Sequence, residues 1–149
     1  MQTQAERVTA QTLIPLPAST MLLEDRSTLD KARSKRVFGF PTVIKDLPEA
    51  DLPFKGVKAW ILQGEKHQLI FFEMQLTALV PEHSHSYPQW GIVIEGKMKL
   101  TINGKTKTIE KGGDYLIPAK AKHQAKFLTK TRVIDLFSEK TRYKPKTAK

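Results

Sequence analysis

Residues 97–110 read KMKLTINGKTKTIE. Met98, Leu100 and Ile102 alternate with Lys97, Lys99 and Thr101. A period of two puts one face of a β-strand in a core and the other in water. Asn103-Gly104 follows, a pair that tolerates positive φ and closes a tight two-residue hairpin. The pattern requires two antiparallel strands with one buried face, and so a sheet to extend them and a second layer to cover them.

The flanking segments repeat the rhythm. VKAWILQG and HQLIFFEMQL are short, rich in β-branched and aromatic residues, and joined through QGEKH, which places His67 in an exposed turn. GIVIEG, DYLIPA, HQAKFL and TRVIDLFS follow at close spacing. Many short strands separated by turn signals predict an all-β sandwich or barrel. Upstream, VFGFPTVIKDLPEADLPFKG is broken by Pro41, Pro48 and Pro53 and suits edge strands and loops. Residues 1–36 are mostly polar and read as an extension, with a weak capping box opening a short helix at STLDKARSKR and an apolar patch at TLIPLP. The expected organisation is an extension over 1–36, a β-barrel domain over 37–143 and a solvated basic tail over 144–149.

Bulk properties exclude several chemistries. The chain has 149 residues and no cysteine, so disulfides, thiolate metal sites and cysteine nucleophiles are absent. Its longest apolar runs, such as LIFF and GIVI, are far too short for a membrane helix. The first twenty residues lack the basic start and apolar core of a signal peptide. A soluble, cytoplasmic protein is expected. Net charge is +10, but residues 1–96 carry 10 Lys and Arg against 11 Asp and Glu, whereas residues 97–149 carry 15 against 4. Such a basic third is most often a solvated surface; it also suits a small anionic ligand. With 19 Lys to 6 Arg and no nucleic-acid motif, nucleic acid is not the expected partner.

The chemistry concentrates in PEHSHSYPQW, residues 81–90. His83 and His85 can project to the same side of a strand end. Imidazole is a common metal ligand, and a third histidine, His123, follows a later strand. Tyr87 and Trp90 flank the loop as candidates for a ligand-stacking wall; packing of the barrel rim is their other use.

The run His83, His85, Gln89, Gly96 resembles the first motif of the cupin superfamily, and Gly112, Pro118, His123 resembles the second, with fifteen residues between the two glycines. The resemblance spans roughly residues 57–138. It implies an antiparallel cupin β-barrel (a double-stranded β-helix, or jelly roll). It also implies one divalent metal ion held by His83, His85, Gln89 and His123. The sequence departs from the pattern at Gln89, where the motif has an acid, at Lys120, where it has a glycine, and at Phe127, where it has an asparagine. Zinc, nickel, iron, manganese and copper all suit imidazole. A neutral amide in place of a carboxylate leaves the ion its full charge and favours anionic or enolate oxygens.

HSHSYPQWGIVIEGKMKLTI and VIDLFSEKTRY together resemble the small cupins of the pectin-degradation type. These open and tautomerise unsaturated monouronates. The resemblance implies Asp135 as general acid/base, Phe137 lining a sugar pocket and Arg142 holding the carboxylate, although Arg142 falls one residue later than in that pattern. The alternatives are a non-catalytic sugar-acid-binding cupin and a three-histidine dioxygenase. Cupins of this size commonly pair, so a homodimer is expected, with TLIPLP able to reach a partner.

Overall fold

The structure, a computed structural model, describes residues 38–148. The expected extension over 1–36, with its short helix and its apolar patch, lies outside the described residues. The Asn103-Gly104 hairpin forms as the sequence requires: Asn103 has φ 47° and Gly104 φ 79°. They join β5 (Lys97–Ile102) to β6 (Lys105–Glu110), with Ile102 opposite Lys105. Met98 and Leu100 are buried while Lys99 faces solvent.

Seven further strands complete two antiparallel sheets: β1 (Val57–Gln63), β2 (Gln68–Met74), β3 (Leu79–His83), β4 (Gln89–Glu95), β7 (Asp114–Ile117), β8 (His123–Phe127) and β9 (Thr131–Phe137). One sheet runs β1-β2-β9-β4-β7 and the other β3-β8-β5-β6. Their inner faces share one apolar core, with Ile70, Met98, Ile117, Val93 and Val133 at its centre. This is the expected all-β, cupin-type jelly roll. Burial alternates most regularly along β9, where Thr131, Val133, Asp135 and Phe137 point inward. Asp135 therefore stands in an apolar row, and the fold must provide it with hydrogen bonds.

Part of the outer face of the five-stranded sheet is also covered. The segment read as edge strands and loops instead contains a one-turn helix, α1 (Thr42–Lys45). Pro41, with φ −66°, is preset for the turn, and its carbonyl accepts the N–H groups of Ile44 and Lys45. Phe40 packs edge-on against Trp60 and Phe71, closing a second small apolar cluster. Farther along, Leu62, Leu69, Leu136, Trp90 and Leu116 lie opposite one another across all five strands. Three of these are open to solvent, Leu62 at 47%, Trp90 at 43% and Leu116 at 51%.

The C-terminal residues are exposed, as a solvated tail would be, but their backbone is anchored. Asp51 N–H donates to the Lys144 carbonyl and Lys146 N–H to the Glu49 carbonyl, both at 2.8 Å. Upstream, Gln68 is 1% exposed and pairs with Tyr143 as a strand would: the Tyr143 N–H donates to Oε1 and Nε2 donates to the Tyr143 carbonyl, both at 2.9 Å. One buried amide thus fixes the chain beside Arg142.

Gly96, which joins β4 to β5, adopts φ 86°, and a Cβ there would lie 2.3 Å from the Lys130 carbonyl oxygen. Backbone cannot yield as a side-chain tip does. Gly96→Ala is therefore expected to cost about 2–4 kcal/mol, from strained φ plus displacement of the β8–β9 connection. Urea unfolding of the variant against the parent measures this.

Candidate metal centre

His83 ends β3, and a β-bulge decides which way it points. Val80 pairs with Ala125, yet His83 pairs with His123, so three residues on β3 span two on β8. The extra residue reverses the alternation and turns His83 to the same side as Val80. Pro81 sits in the bulge, where a missing N–H breaks no ladder bond. His123 opens β8, and His85 lies two residues beyond the end of β3. The ligand atoms of the three rings lie within 4.8 Å of one another.

Each ring is held by a backbone carbonyl close in sequence. Nδ1 of His83 meets the Pro81 carbonyl at 2.9 Å, Nδ1 of His85 the Tyr87 carbonyl at 2.7 Å, and Nδ1 of His123 the Ala121 carbonyl at 2.8 Å. A carbonyl only accepts, so every Nδ1 carries a proton, and in the neutral ring Nε2 presents a lone pair. His123 Nε2 is buried and has no hydrogen-bond partner among the described residues.

Gln89 opens β4 and points inward. Its Nε2 donates to Asp135 Oδ2 at 2.9 Å, so its Oε1 faces the histidines, 3.1 Å from His85 Nε2. Two acceptors facing each other at that distance repel unless a proton or a cation lies between them. Three imidazole lone pairs, one of them an orphan, and an amide oxygen beside them fit a divalent cation.

Electrostatics keep the rings available. Burial lowers the pKa of His123 from 6.5 to about 4, only partly opposed by the Ala121 carbonyl. Burial also lowers His83, with Arg142 and His85 adding to the effect. Both rings are thus neutral at ordinary pH, the form that binds metal. Burial pushes Asp135 up from 3.8 to about 7, while the Tyr115 and Gln89 hydrogen bonds pull it back.

His83, His123, Gln89, Asp135 and Arg142 face one cavity inside the barrel, whose remaining wall is mostly apolar, with Met98, Ile117, Phe127 and Phe137 beside the phenols of Tyr115 and Tyr143. The Arg142 guanidinium lies 5.7 Å from the Phe137 ring and 5.0 Å from that of Tyr143. Its Nε is buried without a partner among the described residues. Tyr87 stacks on His85, with ring centres 4.5 Å apart and planes 12° apart, and meets the Phe137 ring edge-on at 6.5 Å. Trp90, the other candidate for a ligand-stacking wall, is not at the site. With Gln89 inward, the alternation of β4 turns Trp90 onto the outer face. His67 is exposed in the β1–β2 turn, as expected.

Other residues of the site escaped the sequence. Tyr115 donates its hydroxyl to Asp135 Oδ1 at 2.6 Å. Period two from Ile117 places Tyr115 inward, which was the available signal. Gln68 and Tyr143 gave none, because their pairing joins residues 75 apart. Lys120, where the cupin pattern has glycine, adopts φ 65°, and its N–H donates to the His85 carbonyl at 2.6 Å. Lysine holds the left-handed turn that glycine would hold without strain.

Comparison with known proteins agrees with this architecture. Residues 70–137 match the family described as Cupin domain. An RmlC-like cupin from Shewanella frigidimarina superposes with a TM-score of 0.60 at 23% identity, covering 70% of this chain and 91% of that one. KdgF from a Halomonas species gives 0.59 at 22%, over 66% and 90%. Bacillus subtilis oxalate decarboxylase, which has Mn(II) centres, gives 0.57 at 17%, over 66% and 29%. At these identities the likeness is one of fold. No curated protein matches the chain.

Two outcomes follow from the strain and the burial. Lys120→Gly is expected to raise stability by about 0.5–1 kcal/mol, the left-handed strain less the added backbone entropy. A rise in Tm of a few degrees reads it; a fall overturns it. In metal-free protein two linkages oppose each other. Unfolded histidine takes a proton near pH 6.5 while His123 waits until about 4, so its contribution is lost as pH falls through that window. Asp135 takes a proton at about 7 in the fold but near 3.8 unfolded, so its contribution is gained as pH falls. Asp135→Asn removes the second effect. Its stability should therefore fall about 3 kcal/mol further than the parent's between pH 6.5 and 4, in urea titrations at each pH.

Proposed function

We propose that this protein is a metal-dependent cupin enzyme that opens and tautomerises a small unsaturated sugar acid, with His83, His85, His123 and Gln89 as metal ligands. The observation that carries this reading is the pairing of unlike groups around one cavity. Four acceptors converge at one place, a buried carboxylate lies one hydrogen bond behind them, and a guanidinium with an unpaired Nε faces the same space.

A bound divalent ion would supply Lewis acidity, stabilising negative charge that develops on a substrate oxygen. The remaining steps belong to the chain. Arg142 pairs with the substrate carboxylate, and the Phe137 ring beside it fixes the guanidinium and offers a flat apolar wall. Asp135 accepts the proton of the ring-opening hydroxyl and returns one proton to carbon, so the conversion is an isomerisation without net loss or gain. A group titrating near neutrality can move a proton in both directions. The apolar wall keeps water from the enolate form. The basic C-terminal third favours arrival of an anion.

Turnover of 4,5-unsaturated monouronates by metal-loaded protein tests the reading, with loss on chelation and recovery on metal addition. Asp135→Asn should lower kcat by about 10²-fold or more, and Arg142→Gln should raise KM by about 10- to 100-fold with a smaller effect on kcat. A thermal shift with uronates but no turnover would replace the reading by a binding protein. Oxygen consumption by the iron-loaded protein would replace it by a dioxygenase.

A further inference from the structure

Tyr115 has no part in the ligand set, yet the molecule makes an unusual accommodation for it. Gly91 lies in the middle of β4, directly opposite Tyr115 on β7 and Asp135 on β9. A Cβ at Gly91 would lie 2.1 Å from Tyr115 Cζ and 2.3 Å from Asp135 Oδ1. No side chain other than hydrogen lets the phenol ring cross β4 to reach the carboxylate. A glycine inside a strand weakens it, so this opening has a cost that the contact must offset.

The contact continues toward the histidines. The Tyr115 hydroxyl donates to Asp135 Oδ1, Gln89 Nε2 donates to Asp135 Oδ2, and Gln89 Oε1 is left facing His85 Nε2. An amide has two ends, and the end that faces the histidines decides whether Gln89 can bind a cation or would repel one. With Oδ1 accepting from Tyr115, the ionised carboxylate is held in place, and its Oδ2 can accept only from the amide nitrogen.

We propose that Tyr115, admitted by Gly91, is a positioning residue that locks Asp135 and thereby turns the Gln89 oxygen toward the metal. The proposal rests on the reading of Gln89 as the fourth ligand. It places a determinant of metal affinity on β7, away from the histidines.

The test uses the full chain, with Zn²⁺ affinity measured by chelator competition and the visible spectrum of the Co²⁺-substituted protein as the second readout. Tyr115→Phe keeps the ring and removes the hydroxyl. It should weaken Zn²⁺ binding by about 10- to 100-fold, the range for lost outer-shell partners, and shift the Co²⁺ bands as the amide ligand is lost. In a Gln89→Leu background the same change should cost nothing further, because Tyr115 acts through the amide. Gly91→Ala, whose Cβ would displace both the Tyr115 ring and the Asp135 carboxylate, should reproduce the effect. If Gln89→Leu changes both readouts while the Tyr115 and Gly91 variants leave them at parental values, the positioning role is overturned alone. If Gln89→Leu changes neither, the fourth-ligand reading falls and the proposal falls with it. Loss of affinity by Tyr115→Phe in the Gln89→Leu background also overturns it. None of these readouts depends on the uronate reaction, so failure of turnover is a separate result.

Discussion

Everything at the centre of this barrel depends on lone pairs that have no proton to share. Three imidazole nitrogens and an amide oxygen are brought together at the edge of an apolar cavity, each denied a donor by the bond its other end makes. Such an arrangement is unfavourable by itself, because like partial charges are desolvated side by side. It becomes favourable with a cation. The two sheets supply the rigidity that holds it: β8 is central to one, β9 central to the other, and the histidine loop crosses between them.

The amide changes where negative charge sits. A carboxylate at position 89 would place it against the ion. Here Gln89 is neutral and Asp135 stands behind it, one hydrogen bond away. The carboxylate is thus moved back by the length of a side chain. On the proposed reading, a bound ion would keep more of its charge for a substrate oxygen, and the acid behind the amide would carry the proton. Burial, which raises Asp135 to about 7, serves that second role. The same burial favours the neutral form of His83 and His123, so one apolar environment acts on both kinds of group.

The barrel was legible because its signals are local. Alternation in β5, the Asn103-Gly104 turn and the spacing of the three histidines each lie within a few residues, and together they specified an all-β fold with a ring cluster. What depends on contact between distant segments was hidden. The bulge in β3, the Tyr115 bridge across Gly91 and the Gln68 clasp on Tyr143 all join elements far apart in sequence. Trp90 was different, because the parity of a strand could have decided it: placing Gln89 inside excludes its neighbour. The α1 turn failed for a related reason, since Pro41, read as a breaker, instead presets the backbone for a helix.

The carbonyl bonds that fix the three rings have an evolutionary consequence. Each comes from main chain within two residues of its histidine, at Pro81, Tyr87 and Ala121. No single substitution deletes a carbonyl group. Ring orientation and tautomer are therefore insulated from changes in the surrounding side chains. The cavity wall can be rebuilt for another ligand while the three nitrogens stay aimed at the same point. A scaffold of this kind separates the durable part of a site from the adaptable part, and lets the cavity change without dismantling the ring cluster.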